Sequence, residues 1–213
     1  TVLKEMIGSG AKEKEILIGI ILFIISALAP SIQPLTALDL AMVEYFSTLR
    51  TEPIDKLAIL LSALGGMPFV LFLTTLWCFH RAWYKQYRDV VFIGLGVVGS
   101  IASAWLLKFL ISRARPPEMF HLVTSYGASF PSAHSMYAAT LACLAIFLSR
   151  PFPAHHYVVC IALLWMLMMG ISRVYLGVHF PSDVLAGWSI SIIWISLLYI
   201  LCGRYTQLNT HYF

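Results

Sequence analysis

The chain has 213 residues, 60% of them hydrophobic and only 11% charged, with a formal net charge of +4. A soluble domain carries about 25% charged residues, so this charge cannot cover a water-facing surface. The mean hydropathy of +0.83 points instead to a single membrane domain spanning residues 1–213. No dense basic stripe accompanies the positive balance, which argues against nucleic acid as a partner; the excess Lys and Arg read as a topology signal.

Six apolar segments are predicted to be transmembrane helices of one all-α polytopic bundle. The first covers residues 16–28, with a continuation past Pro30 and Pro34 left open. It follows a mixed Lys/Glu segment without a small-residue cleavage site, so it is expected to be a retained span rather than a signal peptide. Because the chain starts with Thr1, a few residues are expected to precede it. Residues 38–56 hold Asp39, Glu44, Arg50, Glu52 and Asp55 among apolar side chains, the pattern of an amphipathic interfacial helix or a packed loop.

The second span is predicted over residues 57–79, with Gly65, Gly66 and Pro68 in its middle. The third covers 90–111, the fourth 132–148, the fifth 157–175 and the sixth 184–201. A span needs about 20 residues rising 1.5 Å each, so the fourth is short and its start is expected below the membrane surface. Cys78, Cys143, Cys160 and Cys202 lie in or at the ends of these runs without C-x-x-C spacing. They read as small hydrophobes, not as zinc ligands or a disulfide framework.

With the N-terminus cytoplasmic, eight Lys and Arg fall inside (Lys4, Lys12, Lys14, Arg81, Lys85, Arg88, Arg150 and Arg204). Six fall outside (Arg50, Lys56, Lys108, Arg113, Arg115 and Arg173). Lys108, Arg115 and Arg173 have another reason to be there, which leaves eight against three and a bias towards both termini inside. In this topology the link between spans three and four and the link between spans five and six share the outer face.

Three polar strings border those links: K-F-L-I-S-R-A-R-P at 108–116, P-S-A-H at 131–134 and S-R-V-Y-L-G-V-H-F-P-S-D at 172–183. Ionisable groups at a membrane edge are functional candidates. Lys108, Arg115 and Arg173 have the charge and donor geometry to hold phosphoryl oxygens, although each alone would also suit a snorkelling position. Pro131 to His134 opens a helix, where free N–H groups and the dipole attract phosphate. Ser132 is a cap or a direct donor, and Ala133 contributes its N–H.

His134 and His179 suit a proton donor and a nucleophile. Asp183, four residues beyond His179, can orient its ring or simply cap the sixth span. A two-His, one-carboxylate zinc site from His134, His179 and Asp183 is disfavoured by the three nearby cations, so no metal and no cofactor is expected. Glu118 and His121 lie in the outer loop, where nothing specific argues for contact with a head group, and His121 has no context comparable to that of His134 and His179. His80, His155, His156 and His211 have no comparable context. The Trp and Tyr side chains read as interfacial anchors and packing residues.

In this order the strings closely resemble the signature of the type-2 phosphatidic acid phosphatase family, K-x(6)-R-P, P-S-G-H and S-R-x(5)-H-x(3)-D. Lys108, Arg115 and Pro116 match the first, Pro131, Ser132 and His134 the second, and Ser172, Arg173, His179 and Asp183 the third. Ala133 stands where the family usually has Gly. The motif-bearing core runs from about 105 to 190. The resemblance implies metal-independent hydrolysis of a lipid phosphate or pyrophosphate through a phosphohistidine. His179 would be the nucleophile, Asp183 its orienting group and His134 the proton donor. Lys108, Arg115, Ser132, Ala133 and Arg173 would form the phosphate cradle.

It further implies a bacterial inner-membrane protein surrounded by membrane lipids, with the site facing outwards. Undecaprenyl pyrophosphate and phosphatidylglycerol phosphate are the leading substrates. A lipid A phosphatase, a lipid phosphotransferase or a non-catalytic lipid-binding or transport protein are the alternatives. The sequence leaves the oligomeric state open.

Overall fold

The structure, a computed structural model, describes residues 2–209, with side chains over 13–202. It contains α1 (Val2–Leu28), α2 (Gln33–Thr48), α3 (Glu52–Gly65), α4 (Met67–Trp83), α5 (Tyr87–Ile111), α6 (Ala133–Ser149), α7 (His155–Tyr175) and α8 (Pro181–Asn209). Short 3-10 turns occupy Ala29–Ser31 and Glu118–Phe120, and no strand occurs among the described residues. Among these residues, four stretches are long and apolar enough to cross a membrane: Glu13–Ser31, Tyr87–Ile111, His155–Tyr175 and Pro181–Cys202. The bent pair α3–α4 makes a fifth if taken as one span. α6 is apolar but has only 17 residues.

The second predicted span differs most from its expectation. It starts earlier, at Glu52, and breaks into two helices whose axes differ by 54°. Gly66 is extended there (φ −70°, ψ 153°) and precedes Pro68 in the first turn of α4. A proline lacks the N–H that an unbroken helix needs and clashes with the preceding turn. Gly65 lets α3 approach closely: a Cβ there would displace the flexible end of Met169 and stand 3.4 Å from the His134 ring. The first predicted span ends without running on through Pro34: Ile32 is extended (φ −110°, ψ 107°) and the chain turns into α2. The segment expected over 38–56 divides between α2 and the first turn of α3.

α6 is the central helix. It packs against α5, α7 and α8, while α1 lies along α8. Its buried Met136, Tyr137, Leu144 and Phe147 meet Phe92, Ile93 and Val97 of α5 and Ile195 and Leu198 of α8. Polar contacts also join the helices: Thr140 Oγ1 lies 2.9 Å from Ser100 Oγ and 3.1 Å from Ser191 Oγ. Such hydrogen bonds, with close packing, drive association where lipid removes the hydrophobic difference. Leu95, Val98, Leu106, Phe109 and Leu110 of α5 remain exposed, as suits a lipid-facing surface.

This connectivity gathers the three polar strings. The C-terminal ends of α5 and α7 and the N-terminal ends of α6 and α8 meet at one end of the bundle. α5 stops at Ser112, which is left-handed (φ 46°, ψ 37°). α7 passes to α8 through a short turn at Gly177 (φ +74°), where a Cβ would run into the Phe120 carbonyl. The long α5–α6 link folds over that turn, with Leu122 N–H donating to Leu176 O (3.0 Å), and closes on itself where Ser129 N–H donates to Arg113 O (2.8 Å).

Candidate active site

A cavity of about 740 Å³ opens at this end of the bundle. Lys108, Arg115, Ala133, His134, Arg173 and His179 line it, joined by Ser62 of α3. Trp105 and Phe109 form an apolar flank continuous with the exposed face of α5. Seven of the eight sequence-predicted site residues meet here, Asp183 directly behind His179. Ser132 does not reach the cavity: its hydroxyl is fully buried and accepts from Ser135 Oγ at 3.0 Å, while its N–H donates to Asp183 O at 3.0 Å.

His179 sits in the α7–α8 turn, just ahead of Pro181, the first residue of α8. Its Nδ1 is 3.5 Å from Asp183 Oδ2, longer than a good N–H···O bond. The Ser129 hydroxyl fills in, lying 3.4 Å from His179 Nδ1 and donating to Asp183 Oδ2. That carboxylate oxygen also receives the Phe180 N–H at 2.9 Å, and Oδ1 receives Arg113 Nη1 at 2.6 Å. Both residues are buried, His179 at 2% and Asp183 at 0% exposure.

Nδ1 is therefore engaged on the protein side, which leaves Nε2 towards the cavity, 3.3 Å from Arg115 Nη1. Burial is the main cause pushing the His179 ring down to about 3. Asp183 opposes that shift, and Arg173 and Arg115 add to it. A ring so shifted is neutral at pH 7 and keeps a lone pair on Nε2.

Arg115 is fixed by the backbone. It donates from Nε to Gly127 O (2.9 Å), from Nη1 to Val178 O (2.7 Å) and from Nη2 to Tyr126 O (2.9 Å). Burial lowers its pKa and Asp183 partly restores it; it remains a cation. Lys108 Nζ donates to Ala128 O at 2.5 Å. Arg173 Nη1 donates to Ser62 Oγ at 2.6 Å, and its buried Nε has no hydrogen-bond partner. Three cations thus face one cavity with donor capacity for an anion. Among the described residues, no three His, Cys, Asp or Glu side chains group closely enough to hold a metal ion.

Ala133 is the first residue of α6 and its φ is not positive, so its Cβ is tolerated and its N–H stays at the helix start. Ala133→Gly is expected to change turnover by less than about threefold and to cost up to about 1 kcal/mol of stability through added backbone freedom. Paired kinetic and thermal-unfolding measurements check this; a loss of turnover above tenfold would contradict it.

The sequence reading missed Asp39, Ser62, Arg113, Ser129 and Ser182. Arg113 was counted only as an outer-face cation, and Asp39 only as one charge of an amphipathic segment. Nothing in their spacing pairs residue 39 with 113 and 182. Ser129 lies two residues outside the second string, and Ser62 is an ordinary small polar residue within an apolar run.

Fold and site together define a membrane-embedded helical protein built to receive a phosphorylated group. Residues 89–206 match the model of the PAP2 superfamily, and the chain belongs to that family. It is 32% identical over 176 residues to phosphatidylglycerophosphatase B of Bacillus subtilis (strain 168), covering 80% of this chain and 86% of the relative. It is 33% identical over 169 residues to lipid A 1-phosphatase of Rhizobium johnstonii, covering 68% of this chain and 66% of the relative. The crystal structure of a transmembrane PAP2-type phosphatidylglycerolphosphate phosphatase from Bacillus subtilis superposes with a TM-score of 0.83 at 29% identity. That match covers 89% of this chain and 96% of the other.

Proposed function

We propose that this chain hydrolyses a lipid phosphate or pyrophosphate through a phosphohistidine formed on His179. Nε2 attacks phosphorus, forming a P–N bond as the P–O bond to the lipid breaks. His134 supplies the proton to the departing oxygen. Asp183 holds Nδ1–H and the positive charge that develops on the ring. Water, giving a proton back to His134, then attacks phosphorus, breaks the P–N bond and releases inorganic phosphate. Lys108, Arg115, Arg173 and the Ala133 N–H stabilise the phosphoryl oxygens. Ser132 joins them if its hydroxyl turns away from Ser135.

The observation that carries this reading is the pairing of a carboxylate-backed histidine with three cations around one cavity. The names of the relatives support a lipid phosphate substrate. Phosphatidylglycerol phosphate and undecaprenyl pyrophosphate are the proposed substrates, their tails lying along the Trp105 and Phe109 flank. A lipid A phosphatase is the second reading, favoured by the Rhizobium relative.

In the same proposal residues 1–213 form one unit with six spans: α1, the bent α3–α4 pair, α5, α6, α7 and α8. α2 lies at the membrane surface. The termini are cytoplasmic and the site opens on the outer face of a bacterial inner membrane. Purified protein in detergent, given a panel of lipid phosphates with EDTA present, is expected to release phosphate. No release from any of them, or release abolished by the chelator, would overturn the reading.

A further inference from the structure

We infer that Asp39, reaching in from α2, is a positioning residue for the nucleophile, acting through Arg113 and Ser182 on Asp183. The inference rests on His179 and Asp183 having the roles proposed above. Asp39 is only 4% exposed on a helix that turns Leu38, Met42 and Tyr45 outwards. Its Oδ1 accepts the Ser182 N–H at 3.0 Å, and its Oδ2 accepts both the Ser182 hydroxyl and Arg113 Nη2, the latter at 2.8 Å. It therefore satisfies a free first-turn amide of α8 from 143 residues away, where caps are usually local.

Arg113 carries the link onward. Its Nη1 donates to Asp183 Oδ1 at 2.6 Å and lies 2.7 Å from Ser182 Oγ, and its guanidinium stacks 4.3 Å above the Phe180 ring. The planar fork is thus gripped at both ends, by Asp39 on one nitrogen and Asp183 on the other. Fixing Oδ1 sets the plane of the Asp183 carboxylate, and with it the direction in which Oδ2 meets Ser129 and His179. Arg113 and Asp39 do not line the cavity, so neither is placed to touch substrate.

Charge sharing gives Asp39 a second effect. One guanidinium serving two carboxylates draws less density from Asp183 than it would from Asp183 alone. This leaves Oδ2 a stronger acceptor against the opposing field of Arg115, Arg173 and Lys108. Buried ion pairs are weak evidence for stability, since apolar replacements often do as well. A buried network that ends on the carboxylate behind the nucleophile is better explained by orientation. Asp39 lies outside residues 89–206, the part matched to the family model, so this control enters from the N-terminal helices.

The test uses the purified full chain and whichever of phosphatidylglycerol phosphate, undecaprenyl pyrophosphate and phosphatidic acid it turns over. Asp39→Asn keeps the shape but removes the charge. Its kcat is expected to fall about 10- to 100-fold, the scale of a small misplacement of reacting groups, with KM within about twofold. Formation of labelled phosphoenzyme should slow in proportion, and Asp39→Glu should recover part of kcat. Ser182→Ala, a smaller change, is expected to lower kcat severalfold and serves if Asp39→Asn does not fold. Unchanged kcat in the folded variants, or a rise in KM alone, overturns the inference. His179→Ala run alongside separates the two claims. If it still releases phosphate, the functional reading falls; if it is inert while Asp39→Asn is fully active, only this inference falls.

Discussion

Replacing His179 with Ala is expected to cut phosphate release by roughly 10⁴-fold or more, the cost of removing a nucleophile from a coupled catalytic group. Among the described residues, no hydroxyl lining the cavity is hydrogen-bonded to a side-chain base. Ser112 Oγ donates to the Phe109 carbonyl at 2.9 Å, and Ser62 Oγ accepts from Arg173. Lys108, Arg115 and Arg173 remain in the variant, so affinity for the lipid phosphate should stay within a few fold. Release assays and lipid-binding isotherms on the same preparation check both halves. A residual rate within tenfold of the unmodified protein would remove His179 from the chemistry.

Asp183→Asn is the second large effect. The carboxylate accepts from Arg113 Nη1, the Phe180 N–H and the Ser129 hydroxyl, and approaches His179 Nδ1. An amide has one acceptor oxygen, so its NH2 must face one of these donors. If oxygen stays with Arg113, the NH2 confronts Phe180 N–H and no longer holds the His179 tautomer. If it turns round, Arg113 Nη1 faces the NH2 in place of Oδ1, while Nη2 keeps Asp39. The neutral group also cannot stabilise the imidazolium formed during attack.

Turnover is expected to fall by roughly 10³- to 10⁴-fold, as when the orienting acid of a triad is made neutral. Stability should drop by about 3 kcal/mol, the low end for breaking a buried ion pair, because Asp39 still partners Arg113. Kinetics and thermal unfolding measure the two effects separately. Turnover within tenfold of the unmodified protein would show that Asp183 does not orient the nucleophile.

The parts of this molecule legible in the sequence are those set by short-range pattern. Continuous apolar runs gave α5, α7 and the start of α8 nearly to the residue, because about 20 residues must cross a bilayer whatever they pack against, but α8 runs on to Asn209, past the expected end at 201. The break at Gly66 escaped because hydropathy stays continuous across it, although Gly65, Gly66 and Pro68 mark the place. The start of α3 carried a readable signal in Thr51, Glu52 and Pro53, a cap-type residue followed by an acid and an early proline. It was hidden inside a segment read for amphipathicity.

At the site, His179 and Asp183 could be paired because both belong to one turn. Asp39 could not, since its partners lie 74 and 143 residues away and long-range pairing leaves no periodic trace. Ser132 shows the limit of helix-start logic. It does precede α6, but its side chain makes no cap hydrogen bond and points into the bundle.

The most direct measurement is a rapid-quench experiment with a lipid phosphate carrying ³²P at the reacting phosphorus. During the first turnover the protein should acquire a label that is stable in alkali and lost in acid. That label should map to the peptide containing His179 and be absent from His179→Ala. Turnover without any labelled protein, or an acid-stable label on another residue, would contradict a phosphohistidine at His179.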